Sequence, residues 1–151
     1  MNKTQLINKI IETRSAWDAV LAHMDETQLT QPGEDGIWSI KDILAHITWY
    51  EREMVVVIQG HALVGSDWWN LSLEERNALI YHENKERSLN EILQAAQQVH
   101  DHLLHLIGAL TEEDLQDPRQ FPGMPDDWQP WQVIASNTYE HYPDHRLKVT
   151  T

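Results

Sequence analysis

The 151-residue sequence contains no cysteine. This absence excludes disulfide bonds, a thiolate nucleophile and any metal site built on thiolate ligands. A bound metal must therefore be held by histidine, aspartate or glutamate side chains.

The sequence also lacks a long apolar run. No stretch of about eighteen consecutive apolar residues is present, so no transmembrane helix is predicted. The N-terminal stretch MNKTQLINKIIETRSAWDAV carries charges throughout and has no apolar block of the kind found in signal peptides. These features predict a cytoplasmic protein, and the length predicts a single domain over residues 1–151.

Basic side chains are scarce as well. The chain has 11 Lys and Arg residues against 24 Asp and Glu residues, which gives a formal net charge of −13. Such a chain repels phosphate backbones unless its few cations cluster, and here they are dispersed. Neither nucleic acid nor a membrane is an expected partner. The expected partner is a small-molecule substrate.

The apolar residues that are present recur at helical spacing. Four long helices are predicted over residues 3–24, 36–60, 88–110 and 130–142, with a shorter helix from Ser72. Capping pairs mark several helix starts, namely Asn2 with Gln5, Ser39 with Asp42, Ser88 with Glu91 and Thr111 with Asp114. Stretches 27–36, 61–70 and 117–130 are predicted loops. The pattern indicates an all-α four-helix bundle with an extra short helix.

Three of the nine histidines are predicted to face the interior together. At 100° per residue, His141 and His145 lie on the apolar stripe of the last helix, and His46 lies at the edge of the second helix's apolar face. Two adjacent buried imidazoles are costly to desolvate, and a shared cation satisfies both. The three residues are therefore a candidate site for Zn²⁺, Ni²⁺, Fe²⁺ or Mn²⁺. Spacing alone supports a metal site and a metal-free polar lining equally.

The remaining helical histidines have a simpler interpretation. His100 falls in the middle of an apolar stripe, whereas His102 and His105 point away from it toward solvent. A lone inward histidine usually bonds a carbonyl or hydroxyl group, and this is the expectation for His100.

Pro143 lies between His141 and His145, inside the last predicted helix. Proline there deletes a backbone hydrogen bond at a cost of roughly 3 kcal/mol and biases Tyr142 away from helical angles. Either the helix kinks and continues, which keeps the histidines on one side, or it ends at Tyr142. A kink is expected, because the following RLKV is still amphipathic.

Two stretches resemble the signatures of the DinB-like (YfiT-like) superfamily. GIWSIKDILAHITWYE contains WS, K-D and AH in that order, and IASNTYEHYPDHR has histidines four apart. The resemblance implies a four-helix bundle of up-down-down-up topology with a divalent metal on His46, His141 and His145. Members of this superfamily include thiol-dependent transferases and isomerases, and many form dimers, so the resemblance also implies a homodimer.

The N-T-Y-x-H-Y run and His100 are also similar to the ClbS/DfsB branch of that superfamily. This branch includes a protein that detoxifies a reactive genotoxin by opening its cyclopropane. A bound metal is less expected in this branch than in the thiol-dependent transferases. One sequence does not separate the branches.

These observations predict a metal-dependent transferase or hydrolase acting on a small thiol-linked or electrophilic molecule, in detoxification or stress response. The alternatives are a ClbS-like protective hydrolase that needs no metal and a non-enzymatic bundle that binds a hydrophobic small molecule. No catalytic acid, base or nucleophile is singled out. Asp42, Glu53 and Asp144 either orient the imidazoles or are plain surface acids.

Four of the seven tryptophans, Trp68, Trp69, Trp128 and Trp131, lie in or beside two long loops. Their rings either roof a pocket at one end of the bundle or plug that end. The plug is the expected arrangement.

Overall fold

The computed structural model describes residues 1–33 and 38–145 of the chain. Within these residues the secondary structure is helical, without strands. The α-helices of these two ranges are α1 (Lys3–Leu21), α2 (Glu26–Thr30), α3 (Ile40–Gly60), α4 (Leu73–Asn84), α5 (Leu89–Ala109), α6 (Glu112–Gln116) and α7 (Pro130–Ser136). Short 3₁₀ turns cover Asp67–Asn70, Pro118–Gln120 and Tyr142–Asp144. None of these helices combines the length and apolar character needed to cross a bilayer.

Helices α1, α3, α5 and α7 share one hydrophobic core. Leu6, Ile58, Leu103 and Ile134 come from these four helices in turn, and each is at most 2% exposed. Full burial of such a side chain stabilises the fold by about 1.5–3 kcal/mol relative to exposure. The predicted all-α four-helix bundle is confirmed, with α4 packed against α3 as the additional helix.

The start of α3 is set by a local capping box. The Ser39 hydroxyl accepts a hydrogen bond from the Asp42 N–H at 3.1 Å, and the Asp42 carboxylate accepts one from the Ser39 N–H at 2.9 Å. The same reciprocal pairs form between Asn2 and Gln5 and between Thr111 and Asp114. At α5 only half of the predicted box is present, because Ser88 accepts from the Glu91 N–H while the Glu91 carboxylate contacts Arg87.

One helix lies where a loop is predicted. Asp25 and Gln28 form a capping box at the start of α2, with hydrogen bonds of 2.8 and 2.9 Å. As a result α1 ends at Leu21, before the predicted boundary at Met24, and the loop prediction for 27–36 is wrong over its first residues. The sequence carried this signal, since an acid followed three residues later by glutamine is a capping pattern.

The last helix is shorter than predicted, because α7 ends at Ser136 rather than Tyr142. Ser136, Asn137 and Thr138 each direct a side-chain donor to the backbone carbonyl four residues earlier, at 2.7, 2.8 and 2.7 Å. Short polar side chains that bond the backbone in this way compete with the helical ladder. Three such side-chain bonds in succession coincide with the end of α7.

The expected kink at Pro143 is therefore wrong. Residues 137–141 form turns, and a 3₁₀ turn follows over Tyr142–Asp144. The RLKV stretch at residues 146–149, on which the kink was argued, lies outside the described residues.

Candidate metal centre

His46, His141 and His145 meet at one place in the bundle. His46 lies on α3, and the other two histidines flank the 3₁₀ turn Tyr142–Asp144. The Nε2 atom of His141 lies 3.2 Å from Nε2 of His46 and 3.1 Å from Nε2 of His145. Potential ligand atoms from the three rings all lie within 4.8 Å of one another. The structure thus brings together the three residues that the sequence selects.

A 3₁₀ turn, not a helical face, holds His141 and His145 together. The His145 N–H donates to the Tyr142 carbonyl at 3.0 Å, and the His141 N–H donates to the Thr138 carbonyl at 3.1 Å. Pro143 lies in the first turn of the 3₁₀ segment, where a missing N–H costs no helical hydrogen bond. The proline that argues against a helix is compatible with the turn that is present.

The short nitrogen–nitrogen distances fit a shared ion better than hydrogen bonds. An imidazole nitrogen carries either one proton or one lone pair, so Nε2 of His141 forms one well-directed hydrogen bond, not two. Nitrogen ligands at about 2.0–2.1 Å from one metal ion stand roughly 2.8–3.0 Å apart in octahedral geometry and roughly 3.3–3.4 Å apart in tetrahedral geometry. The observed separations of 3.2 and 3.1 Å lie between these two values. The donor set therefore fits a divalent metal.

The electrostatics of His46 also suit a metal ligand. Its side chain is 2% exposed. Burial, followed by the positive charges of His145, His141 and Arg76, lowers the pKa of His46 from 6.5 to about 3. The ring is therefore neutral at neutral pH. Its buried Nδ1 has no hydrogen-bond partner among the described residues, and a neutral ring with its proton on Nδ1 presents the Nε2 lone pair.

Aromatic rings enclose the histidine cluster. The Tyr50 ring makes edge contacts with His46 and His141, with centroid separations of 5.0 and 4.8 Å. The Trp38 ring lies 5.0 Å from that of His46 and 6.3 Å from that of His145. The spacing of the sequence singles out neither Trp38 nor Tyr50 as a neighbour of the metal site, so this role of both rings was missed.

The Tyr50 ring is fixed from the side of α4. Its hydroxyl donates to Oδ1 of Asn77 at 2.8 Å and accepts from Nε of Arg76 at 3.1 Å. The Arg76 guanidinium in turn lies 4.7 Å from the centroid of the Trp69 ring, within cation–π range. These contacts orient the ring that packs against two of the three histidines.

A buried polar network joins the residue after His141 to α1 and α3. The Tyr142 hydroxyl donates to Oε1 of Glu51 at 2.5 Å and accepts from Nη1 of Arg14 at 3.3 Å. Arg14 also lies 3.8 Å from Oε2 of Glu51, and none of these three side chains is more than 8% exposed. The network anchors the turn that carries His141 and His145.

Burial sets the protonation of this network. Burial raises the pKa of Glu51, and the Tyr142 hydrogen bond and the Arg14 charge offset that rise only in part. Burial and the nearby Glu51 charge raise the pKa of Tyr142, so its hydroxyl keeps its proton.

The burial of Arg14 and Glu51 could have been predicted from the sequence. Arg14 is in helical register with Leu6 and Ile10, and Glu51 follows Ile47 by one turn on α3. Opposite charges on two apolar stripes indicate a buried ion pair, because an unpaired charge is too costly there.

The predicted carboxylate supports are engaged elsewhere. Asp42 caps α3, and Oε1 of the buried Glu53 accepts from the Ser66 N–H and from Nε1 of Trp69, both at 2.7 Å. Neither carboxylate has a hydrogen bond to an imidazole of the cluster within the described part of the chain, so the first of the two alternatives for these acids does not hold for Asp42 and Glu53. Glu53 is not a surface acid either, because it is buried. The side chain of Asp144 lies outside the described part of the structure.

His100 is buried as predicted, at 8% exposure, while His102 and His105 are exposed. Its Nδ1 has no hydrogen-bond partner among the described residues, so the expected bond to a carbonyl or hydroxyl is absent at that nitrogen. Burial, and then the Arg14 charge, lower the pKa of His100.

Comparisons with known proteins place this arrangement in a family. Residues 9–147 match the family model of the DinB superfamily. The fold is similar to the crystal structure of a Streptococcus pneumoniae protein, with a TM-score of 0.81 and 17% identity over 95% of this chain and 86% of the other. It is also similar to an uncharacterised protein from Escherichia coli UTI89, with a TM-score of 0.73 and 18% identity over 95% and 87% of the two chains.

At these identities the two structural likenesses concern the fold alone. The curated proteins provide no match to the chain. The family match covers nearly the whole sequence, and the chain therefore belongs to the DinB superfamily.

Proposed function

We propose that this protein is a metal-dependent transferase or hydrolase that acts on a small thiol-linked or electrophilic molecule. The observation that carries the proposal is the convergence of three imidazole nitrogens from His46, His141 and His145 within 4.8 Å. Proteins of the DinB superfamily often bind a metal, which agrees with this convergence.

The three histidines would hold Zn²⁺, Ni²⁺, Fe²⁺ or Mn²⁺, since imidazole suits these metals and three protein ligands leave positions open. Bound there, a divalent ion would lower the pKa of a water or thiol ligand, or polarise a substrate oxygen. Imidazoles bind a metal as neutral rings, so three histidine ligands add no negative charge to the site. An anionic ligand such as a thiolate or hydroxide is favoured for that reason.

The surrounding residues bind and orient rather than react. His46 stays neutral because it is buried, and Tyr50 and Trp38 exclude water from two sides of the cluster. The network of Arg14, Glu51 and Tyr142 holds the turn in place. No acid or base is assigned to a chemical step.

The first experiment measures metal content by inductively coupled plasma mass spectrometry. The protein is purified untagged and without a nickel column, because a three-histidine site would collect nickel. We expect about one equivalent of divalent metal in the wild type, loss of that metal in His141→Ala, and retention in His105→Ala, an exposed histidine on α5. Failure of the protein to take up added Zn²⁺, Ni²⁺, Fe²⁺ or Mn²⁺ would contradict a metal site at these histidines.

A second experiment tests the activity. The loaded protein is mixed with monochlorobimane and each of several low-molecular-weight thiols, and the fluorescent thioether is followed. A rate above the uncatalysed one that disappears in His141→Ala and survives in His105→Ala supports the transferase. A rate above the uncatalysed one that is unchanged after metal removal favours a metal-independent enzyme, and the absence of any such rate with all the thiols favours the binding protein.

A further inference from the structure

A cavity that the three clustered histidines do not line lies between α3, the loop after it and α7. Its volume is about 650 Å³, within the usual range of about 300–1,000 Å³ for small-molecule sites. We call it the α3–α7 cavity. Its apolar walls include Met54, Val57, Val64, Trp69 and Trp128. None of the three histidines of the candidate metal centre lines it.

Two of the four loop tryptophans line this cavity rather than plug the end of the bundle. Trp69 and Trp128 are on its wall, whereas the Trp68 ring stacks on Trp49 with centroids 6.0 Å apart. The expected plug is wrong for Trp69 and Trp128. A cavity with indole rings on its walls suits a ligand with a flat apolar or aromatic body.

The Trp69 wall is held rigidly before any ligand binds. Its indole N–H donates to Oε1 of the buried Glu53 at 2.7 Å. Gly65 makes this position possible, because a Cβ atom there would lie 2.7 Å from Nε1 of Trp69 and 2.9 Å from Oε1 of Glu53. The Arg76 guanidinium packs on the ring. A preformed wall of this kind lowers the entropic cost of binding.

The rim of the cavity exposes apolar surface to water. Val64 is 63% exposed and Trp128 is 45% exposed, and both line the cavity. A ligand in the cavity would remove this surface from water, which is favourable by about 25 cal/mol per Å².

The lining carries almost no charge. Among the described residues that line it there is no Lys, Arg or His, and the one ionisable residue among them is the exposed Asp67. In a chain of net charge −13 this environment disfavours an anion. Hydrogen bonding is available from Gln132, whose side-chain amide bonds no described residue. Such an amide suits a neutral hydroxyl or carbonyl group.

We propose that the α3–α7 cavity binds a neutral, largely apolar organic molecule with an aromatic body and one hydroxyl or carbonyl group. The inference goes beyond the proposed function and needs no metal. The two sites are nevertheless close, because the Trp69 ring contacts Tyr50 at a centroid distance of 5.6 Å, and Tyr50 contacts His46 and His141.

The test is a fluorescence titration of the full-length chain, treated with a chelator, with N-phenylnaphthylamine. Anilinonaphthalene sulfonate serves as the matched anion, since it has the same ring system with one added sulfonate. We expect saturable one-to-one binding of the neutral probe, and binding of the sulfonate that is weaker by about tenfold. Absence of saturable binding, or equal binding of both probes, would overturn the proposal.

Two matched variants locate the site. Val64→Glu places a charge on the cavity rim, while Leu73→Glu places one at an equally exposed residue outside the lining, at 61% exposure. Neither change removes core packing. We expect Val64→Glu to weaken binding of the neutral probe by about tenfold, or 1.4 kcal/mol, and Leu73→Glu to leave it unchanged. Equal effects of the two variants contradict the assignment.

Two further measurements distinguish ligand binding in the α3–α7 cavity from metal binding at the histidines and from self-association of the protein. His141→Ala should bind the neutral probe as the wild type does, so failure of the metal centre would leave this result intact. Light scattering at rising protein concentration checks whether a second copy covers the cavity. A dimer that the probe dissociates would assign the surface to self-association and overturn the ligand site.

Discussion

His100 is a buried titratable residue on α5 whose Nδ1 lacks a hydrogen-bond partner among the described residues. Its pKa is lowered below the ordinary 6.5, first by burial and then by Arg14, against the opposing charges of Asp101 and Asp18. As the pH falls through 6.5, the unfolded chain binds a proton at His100 while the folded chain does not. The folded state therefore loses stability on acidification through this residue.

We predict that His100→Leu stabilises the protein at low pH relative to the wild type. At pH 8 the gain should be about 1 kcal/mol, from removal of an unsatisfied buried nitrogen, and it should grow as the pH falls below 6.5. Urea unfolding at a series of pH values measures it. His105→Leu, the same substitution at an exposed position on the same helix, is the control for the loss of an imidazole outside the core. Parallel pH profiles for wild type and His100→Leu would contradict the prediction.

Gly65 and Gly108 are glycines in opposite environments. A Cβ atom at Gly65 would lie 2.7 Å from Nε1 of Trp69, whereas one at Gly108 in α5 meets nothing within 4 Å. We predict that Gly65→Ala destabilises the fold by about 1–3 kcal/mol, because the indole or the buried Glu53 must shift. Gly108→Ala should stabilise it by about 0.5–1 kcal/mol through helix propensity.

Urea unfolding of both glycine variants gives the signs, and the emission spectrum of the indoles reports whether Trp69 has moved. Shifts of the same sign in both variants would be inconsistent with the crowding at Gly65.

The 3₁₀ turn at Tyr142–Asp144 is the element on which the candidate metal centre depends. It is short, and the backbone bonds that it makes with described residues are local, so its position is set by the tertiary contacts of Tyr142. The Trp17 ring meets Tyr142 edge-on at 4.9 Å, and the Tyr142 hydroxyl reaches Glu51 and Arg14. An element this small cannot hold two ligands in place by its own hydrogen bonds.

We predict that Tyr142→Phe lowers both stability and metal affinity. Loss of the hydroxyl leaves the buried Glu51 with Arg14 at 3.8 Å as its remaining described partner, at a cost of about 1–3 kcal/mol. The released turn should bind metal more weakly, as competition with a chromophoric chelator would measure. Tyr139→Phe is the matched control, because that hydroxyl contacts the sulfur of Met1, at 3.7 Å, and takes no part in the network of Arg14, Glu51 and Tyr142.

Wild-type metal affinity in Tyr142→Phe, despite reduced stability, would separate the buried network from the metal centre. Equal losses in Tyr142→Phe and Tyr139→Phe would do the same, since Tyr139 has no contact with Glu51 or Arg14.

At the scale of the whole molecule, the net charge of −13 destabilises the folded state through self-repulsion. Raising sodium chloride from about 0.02 M to about 0.3 M shortens the Debye length from about 20 Å to about 6 Å. We predict that the midpoint of thermal unfolding rises by a few degrees over this range at pH 8. Calorimetry measures it.

The same series at about pH 5 is the control for the charge effect, since this pH is close to the isoelectric point of about 4.9 calculated from the sequence, where the net charge is small. The salt dependence should shrink there. A salt dependence as steep at pH 5 as at pH 8 would assign the effect to something other than repulsion.

Features governed by local interactions were predictable from the sequence. The capping box of Ser39 and Asp42 and the apolar stripes of α1, α3 and α5 depend on residues three or four positions apart. Burial of His46 and His100 follows from the same stripes. The all-α fold and the identity of the three clustered histidines could therefore be proposed before any contact was known.

Other features exist only because distant segments meet. The turn that aligns His141 with His145 and the network of Arg14, Glu51 and Tyr142 both depend on contacts between residues far apart in the chain. The α3–α7 cavity likewise needs the packing of Trp69 on Glu53. By itself the sequence determined where the long helices begin and which of their apolar side chains face inward. Tertiary structure decided where those side chains converge, because convergence depends on distances between helices that no local spacing records.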